Sequence, residues 1–282
     1  MSEATPMSGQ PAAASEGPLL TLDSHALALD YERISAERQF RSGQHLVDDL
    51  AVSSGERVLD LGCGTGLLAQ YIADRVGPAG FVLGIDPLPL RIELAARKAR
   101  PNLAFRVGSA YALDDLPDAS FDAACLNAVF HWLPDKKEPL RALASLLRPG
   151  GRLGISTGLK DHRTTLHDVV SDVLTQPPFS TYPRARANIT YRVDVPEIRL
   201  LLESTGFTPT TIDVRDTAHA YPTAEAAIRF AEASSFGNFL GHLPDTLRAA
   251  AREAVTRELK AIATPDGIPQ KTRRIVAIAI RD

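Results

Sequence analysis

Short apolar runs alternate with amphipathic segments through the first half of the chain, and this alternation is what most restricts its possible folds. Turn residues such as Gly77-Pro78-Ala79-Gly80 separate the runs. The predicted strands are 57–61, 81–85, 103–107, 121–126 and 152–156, and the predicted helices between them are 67–76, 90–99 and 135–147. Strands and helices that alternate over short turns form right-handed crossovers. The sequence therefore predicts a parallel sheet covered on both faces.

The alternation breaks after Thr157 and resumes later in the chain. Residues 157–193 are rich in Arg, His, Tyr and Pro and show no clean strand pattern. The later predicted elements are a helix over 194–205, a strand over 207–215, helical stretches within 223–262 and a strand over 274–280. We therefore expect a single α/β domain over 21–282, with a Rossmann-like, mostly parallel seven-stranded sheet. Its insertions, about 157–193 and 218–270, are expected to form a helical or loop cap. Residues 1–20 are expected to be a disordered tail.

The composition is that of an ordinary globular protein and excludes several classes. Of the 282 residues, 44% are hydrophobic and 23% charged, and the net charge of −3 gives no sign of a nucleic-acid or membrane surface. No apolar run approaches the roughly 20 residues that span a bilayer. Cys63 and Cys125 lack metal-ligand spacing, which predicts buried reduced thiols and no metal site. Without a secretion signal or a disulfide framework, we expect a cytoplasmic protein.

Three glycines lie within five residues directly after the first predicted strand, in the segment VLDLGCGTG that begins at Val58. A glycine-rich turn between a strand and a helix commonly binds a nucleotide or a related ligand. The dinucleotide pattern GxGxxG fits Gly62 and Gly64, but Leu67 occupies the position of its third glycine. Asp60 would also repel a pyrophosphate and attract a cation. A P-loop is excluded because no Gly-Lys-Ser/Thr follows.

The segment VLDLGCGTG resembles the first motif, (D/E)xGxGxG, of class I S-adenosylmethionine-dependent methyltransferases. VGSAYALDDLPDASFD (107–122) resembles the family's adenine loop, and LRPGGRL (147–153) resembles its turn into the fifth strand. The resemblance covers about residues 45–156 and implies S-adenosylmethionine as cofactor and S-adenosylhomocysteine as product. The aromatic patch LNAVFHWLP (126–134) and the second insertion resemble the trans-aconitate and biotin-precursor carrier-protein thioester methyltransferases.

This resemblance implies a set of cofactor-binding residues. They are Tyr31, Asp60, Gly62, Cys63, Gly64, Gly66, Asp86, Pro87, Ser109, Ala110 and Asn127. Asp60 would face the methionyl ammonium and the sulfonium, and Asp86 would accept hydrogen bonds from both ribose hydroxyls. Many relatives have Asp where this chain has Ser109, whose hydroxyl accepts more weakly than a carboxylate. Asp60 as a strand-end cap and Asp86 as a helix N-cap are the structural alternatives.

The acceptor side is less defined by the sequence. Methyl transfer from a sulfonium is an in-line displacement, so the enzyme mainly positions the acceptor and excludes water. His131 is the candidate catalytic residue, as a proton acceptor, a substrate-binding group or a packed wall residue. Trp132, Arg184, Arg186 and Tyr191 are the further candidates for substrate binding. The basic first insertion, which also holds Arg192, suits an acidic small molecule, although loop charges commonly just face solvent.

The predicted function is therefore S-adenosylmethionine-dependent methyl transfer to a small-molecule acceptor, with an acidic acceptor as one open case. No nucleic-acid or membrane partner is expected, and the sequence indicates no oligomeric state. Two alternatives stay open. The chain could be a non-catalytic cofactor-binding or regulatory module, or an NAD-dependent oxidoreductase, which Leu67 and Asp60 disfavour.

Overall fold

Seven strands form one sheet in the order β3-β2-β1-β4-β5-β7-β6. The computed structural model of the protein describes residues 18–182 and 190–282, without the side chains of residues 35–38. The strands are β1 (Arg57–Leu61), β2 (Phe81–Asp86), β3 (Leu103–Val107), β4 (Phe121–Asn127), β5 (Leu147–Gly158), β6 (Phe207–Tyr221) and β7 (Ile268–Arg281). Strand β7 runs antiparallel to β5 and β6, and the pairs among β1 to β5 are parallel. The predicted mostly parallel seven-stranded α/β fold is confirmed.

Helices cover both faces of the sheet. They are α1 (His25–Asp30), α2 (Ala36–Asp49), α3 (Leu67–Val76), α4 (Pro89–Ala96), α5 (Lys137–Leu146), α6 (Thr165–Leu174), α7 (Val195–Glu203), α8 (Ala224–Ser234), α9 (Asn238–Gly241) and α10 (Asp245–Ala261). A π-helical turn, Tyr31–Ser35, joins α1 to α2. Apolar residues of α2 and α3 form one core layer with the sheet, and those of α5 and α7 form the other. Two layers of helix on a buried parallel sheet are the arrangement that the alternating sequence predicts.

The structure gives the two insertions more precise elements than the sequence did. The first contains a helix, α6, whose bounds the sequence pattern did not indicate; Thr164 caps it by accepting a hydrogen bond from the His167 amide at 3.3 Å. Its residues Leu166 and Leu174 are buried in a third apolar cluster, shared with α8 and α10. The second insertion is shorter than expected, because β6 continues to Tyr221 and β7 begins at Ile268.

The start of the described chain is held against the second insertion. The Leu19 amide donates to Asn238 Oδ1 at 2.9 Å, and Asn238 Nδ2 donates to the Leu19 carbonyl at 3.1 Å. Residues 1–17 of the expected tail lie outside the described residues. Within the described ranges, no helix combines the length and the apolar character that a bilayer crossing requires.

Candidate functional site

The glycine turn lies at the carboxyl end of β1, between that strand and α3. Gly62, Gly64 and Gly66 have φ values of 80°, 55° and 83°, a region that side chains other than that of glycine rarely adopt. A Cβ on Gly62 would overlap the Val129 side chain, and one on Gly64 would lie 3.1 Å from the Tyr31 ring. The turn therefore needs glycine both for its backbone conformation and for the close approach of these two side chains.

Two buried acceptors beside this turn have no hydrogen-bond partner among the described residues. Asp60 is 1% exposed; its Oδ1 accepts from Cys125 Sγ at 3.5 Å, and its Oδ2 is unpaired. Asn127 Nδ2 donates to the Gln39 carbonyl at 2.9 Å, which leaves Asn127 Oδ1 unpaired. A buried acceptor without a donor destabilises the fold, and a ligand that donates there removes the penalty.

The two unpaired acceptors line one cavity. Tyr31, Gly62 and Cys63 contribute to the same wall, and the cavity is about 40 Å³ in volume and open to solvent. A carboxylate and an amide oxygen facing one space suit a cationic donor such as a primary ammonium group. The residues present therefore fit the methionyl end of S-adenosylmethionine.

Burial controls the charge of Asp60. Loss of water around the carboxyl, opposed by the hydrogen bond from the Cys125 thiol and reinforced by the neighbouring Asp86, raises the pKa of Asp60 to about 7. Without a ligand, Asp60 is thus close to half ionised at neutral pH. A cation in the cavity would favour the ionised form.

Asp86 ends β2 and ties that strand to the glycine turn. Its Oδ2 accepts from the Gly64 amide at 2.9 Å and its Oδ1 from the Leu88 amide at 3.0 Å. Leu88, two residues after Asp86, is the N-cap of α4, so Asp86 itself is not the cap. Burial raises the pKa of Asp86, and Arg91 counteracts this rise. Each carboxylate oxygen accepts more than one hydrogen bond, so two ribose hydroxyls can still be bound.

The predicted adenine loop begins next to Asp86. The Gly108 amide donates to the Asp86 carbonyl at 3.1 Å. Ser109 Oγ accepts from the Tyr111 amide at 3.2 Å, and Ala110 is buried. The serine hydroxyl therefore stabilises the loop itself. Adenine binding by Ser109 and Ala110, and cofactor contact by Pro87, stay predictions.

Arg91 joins three segments above the glycine turn. Its guanidinium lies over the Tyr31 ring, 4.0 Å from the centroid, and its Nη2 donates to the Ala233 carbonyl in α8 at 2.8 Å. Its Nε lies 3.7 Å from Asp23 Oδ2, with both side chains 4% exposed. Tyr31 itself donates its hydroxyl to Gln39 Oε1. Sequence reasoning missed Arg91 because an arginine on an amphipathic helix normally indicates a solvent-facing position.

His131 lies in a short 3-10 turn, Phe130–Trp132, that follows β4. Its Nδ1 is 3.2 Å from Thr157 Oγ1. Burial lowers the pKa of His131 well below its usual value, and the cations of Arg192 and Arg274 lower it further. The imidazole is therefore neutral at physiological pH, and it binds a proton weakly.

Aromatic rings continue from His131 towards the second insertion. The Trp132 ring centroid is 5.1 Å from that of His131 and 4.7 Å from that of Phe236, which lies between α8 and α9. The first insertion also contacts His131, because the Tyr191 amide donates to the His131 carbonyl at 2.7 Å. Arg184 and Arg186 lie outside the described residues. Arg274 was missed, since a cation at the start of an apolar strand indicates only an exposed end.

Comparison with known proteins agrees with this geometry. Residues 58–151 match a family model described as a methyltransferase domain. An uncharacterized methyltransferase of Mycobacterium tuberculosis is 36% identical over 118 residues, 42% of this chain and 46% of the relative. Aklanonic acid methyltransferase of a Streptomyces species is 36% identical over 131 residues, 45% of this chain and 59% of the relative. A SAM-dependent methyltransferase structure from Aquifex aeolicus aligns with a TM-score of 0.51 at 20% identity, covering 66% of this chain and 90% of that one.

The sheet order with its antiparallel β7, together with the acidic glycine turn after β1, defines a class I S-adenosylmethionine-dependent methyltransferase fold. Within that class, residues 58–151 of the chain match a methyltransferase domain, and S-adenosylmethionine is the cofactor of the class. The resemblance to the class is thus confirmed. The narrower trans-aconitate and carrier-protein group stays a prediction. The chain spans about half the length of the curated relatives that it matches.

Proposed function

We propose that this protein transfers the methyl group of S-adenosylmethionine to a small-molecule acceptor. The observation that carries the proposal is the pair of unpaired buried acceptors, Asp60 Oδ2 and Asn127 Oδ1, in the cavity beside the glycine turn. These two residues, with Gly62, Gly64 and Asp86, would hold the cofactor. When bound, the cofactor supplies an electrophilic methyl group on a sulfonium. Aklanonic acid methyltransferase, a relative named for a small-molecule acceptor, supports an acceptor of that class.

His131 would position the acceptor rather than take a proton from it. Burial and nearby cations depress the pKa of its imidazolium, so the neutral ring is a weak base. Its hydrogen-bonding contact with Thr157 Oγ1 fixes the ring orientation. The Trp132 and Phe236 rings would keep water from the reacting atoms, which an in-line displacement requires.

An acidic acceptor is the finer part of the proposal. Three cations, Arg192, Arg274 and Lys136, add to the effect of burial on the pKa of His131. His167 lies close by and is neutral, because burial lowers its pKa to about 4. A site with this surplus of positive charge favours an anionic molecule over a neutral one of the same shape. Arg184 and Arg186, on the undescribed part of the first insertion, would add to this charge, and Tyr191 would border the acceptor.

The organisation of the chain and its location are proposals of the same kind. Residues 21–282 would act as one domain, with the two insertions as a cap. Both cysteines, Cys63 and Cys125, are buried and free, which supports a reducing compartment such as the cytoplasm. Neither a nucleic acid nor a membrane is proposed as a partner.

Calorimetric titration tests the proposed function directly. We expect S-adenosylmethionine and S-adenosylhomocysteine to bind with clear saturation and NAD to bind poorly, since Asp60 disfavours a pyrophosphate. Tight NAD binding without S-adenosylhomocysteine binding would contradict the proposal. The alternative of a non-catalytic module predicts cofactor binding with no S-adenosylhomocysteine formed from any acidic acceptor offered.

A further inference from the structure

Arg192 and Arg274 are cations beside the candidate site that have no carboxylate partner in the described part of the chain. Arg192 Nη1 donates to the His162 carbonyl at 2.7 Å, and Arg274 Nη2 donates to the Ser156 carbonyl at 3.2 Å. Across residues 18–182 and 190–282, no carboxylate lies within 4 Å of either guanidinium. Each arginine therefore has one neutral acceptor and a charge that no neighbouring anion balances.

The sheet brings the two guanidinium groups together. Arg274 in β7 is directly opposite Gly158 in β5, and opposed residues of an antiparallel pair project to the same face. Gly158 has no side chain, and Arg192 Nε lies 3.3 Å from the position that a Cβ there would take. The Arg192 guanidinium thus covers Gly158, next to the side chain of Arg274.

Two arginines next to Arg274 in the sheet form ion pairs with carboxylates. Arg273 Nε lies 2.7 Å from Asp216 Oδ1, and its side chain is 47% exposed. Arg215, opposite Arg274 in β6, has Asp49 Oδ2 at 2.7 Å. Both of these cations are neutralised by a carboxylate, whereas Arg192 and Arg274 are not.

Leaving Arg274 unbalanced has an energetic cost. Burial, opposed by Tyr31 and reinforced by the cation of Arg192, lowers the pKa of Arg274 to about 10. Its Nε is buried without an acceptor among the described residues. Uncompensated charge in a partly buried place destabilises a fold, and an anion bound there would offset that cost.

We infer that Arg192 and Arg274 form the binding subsite for a carboxylate group of the methyl acceptor. A guanidinium presents donors in a planar fork that matches the two oxygens of a carboxylate. The subsite lies next to His131, because Tyr191, adjacent to Arg192, donates its amide to the His131 carbonyl at 2.7 Å, and Thr157, adjacent to Gly158, has its Oγ1 3.2 Å from His131 Nδ1. The apolar part of the acceptor packs towards the Trp132 and Phe236 rings. This inference rests on the proposed function, because it assigns the acceptor end of that site.

Carboxylates and their uncharged amides make a direct test. Benzoate and succinate are titrated against benzamide and succinamide at constant ionic strength, with saturating S-adenosylhomocysteine present and the fluorescence of Trp132 as readout. We expect at least one carboxylate to bind more than tenfold more tightly than its amide. Arg192→Met and Arg274→Met should each abolish that preference. Arg273→Met, the adjacent residue in β7, should leave it unchanged.

Further measurements distinguish a failure of the subsite assignment from a failure of folding and from a failure of the proposed function. Arg274→Lys keeps the charge without the planar fork and should give an intermediate preference, which preserves the test if Arg274→Met fails to fold. Inorganic phosphate that binds as tightly as the best carboxylate would overturn the assignment, as would an unchanged preference in both Met variants. S-adenosylhomocysteine affinity is measured in every variant. If the unmodified protein does not bind S-adenosylhomocysteine, the proposed function is contradicted. Titration of the carboxylates without S-adenosylhomocysteine still tests the subsite in that case.

Discussion

Asp60 is a carboxyl group whose ionisation depends on whether its cavity holds a cation. Burial raises its pKa from the ordinary value near 3.8 to about 7. The carboxyl is therefore protonated in the folded protein at pH values where it would ionise in the unfolded chain. Its stabilising effect on the unliganded fold is fully present below about pH 4 and is lost as pH rises through about 7.

The same titration predicts a pH dependence of cofactor binding. The ammonium group of the ligand requires the ionised carboxylate, so S-adenosylhomocysteine affinity should rise from pH 5.5 to 7, approaching tenfold per unit at the acidic end. The amino group of the ligand stays protonated in this range, since such groups have a pKa of about 8. Calorimetry at matched ionic strength measures the effect. Asp60→Asn should flatten the profile, and Asp74→Asn on the exposed side of α3 should not.

His131 allows a second prediction at the scale of single residues. If it holds the acceptor, His131→Asn should raise KM more than it lowers kcat, because uniform binding appears in KM. A general base would instead show a loss in kcat of about 10²–10⁴-fold. Steady-state kinetics with an identified acceptor distinguish the two. His45→Asn, an exposed histidine of α2, is the control. A large fall in kcat at unchanged KM and cofactor affinity would make His131 a base.

At the scale of elements, Arg91 should determine how firmly the N-terminal segment is held over the glycine turn. Arg91→Met leaves Asp23 buried without a cation, and removing one partner of a buried pair typically lowers the free energy of unfolding by about 3 kcal/mol. Urea unfolding measures this change, and hydrogen exchange in α1 should show increased opening. S-adenosylhomocysteine affinity should fall as well, because the Tyr31 ring loses its covering cation.

A double variant and a control at a neighbouring arginine test whether the loss of stability in Arg91→Met comes from the unpaired charge of Asp23. Asp23→Asn removes the unpaired charge, so it should restore part of the stability in the Arg91→Met background. Arg97→Met, on the exposed side of the same helical segment, should change neither stability nor affinity. Equal losses in the Arg91 and Arg97 variants would show that the buried cation has no special role.

The elements that the sequence predicts well are those with a strong local pattern. Strands β1, β2 and β4 are mostly buried, and such strands appear as apolar runs between Gly and Pro turns. The bounds of helix α6 were not indicated because only Leu166, Val173 and Leu174 are buried in it. The end of β6 was missed because its residues after Arg215 lie mostly exposed at the sheet edge, without an apolar signal.

The same limit applies to the site. Asp60 and Asp86 are recognisable because a motif fixes their distance from the glycines along the chain. Arg91 and Arg274 depend on contacts between segments that are far apart in sequence, 142 residues in the case of Arg91 and Ala233. No local pattern encodes such a contact, so these residues emerge only from the folded chain.

At the scale of the whole molecule, the two sides of the candidate reaction come from different parts of the chain. The predicted cofactor residues lie between Tyr31 and Asn127, around the carboxyl ends of β1, β2 and β4. The candidate acceptor side begins at His131 and continues through the first insertion to Arg274 in β7. The matched methyltransferase domain, residues 58–151, contains most of the first set and only His131 and Trp132 of the second.

The position of Arg274 in the last strand has a consequence for how such an enzyme can diversify. Because β7 lies between β5 and β6, a substitution of Arg274 within that strand can change the charge presented to an acceptor without disturbing the glycine turn. Selection can then exchange one acceptor for another while the methyl donor stays the same. Grafting a foreign segment from β6 to β7, with its insertion, onto the first half of this chain would imitate that evolutionary step in a single operation.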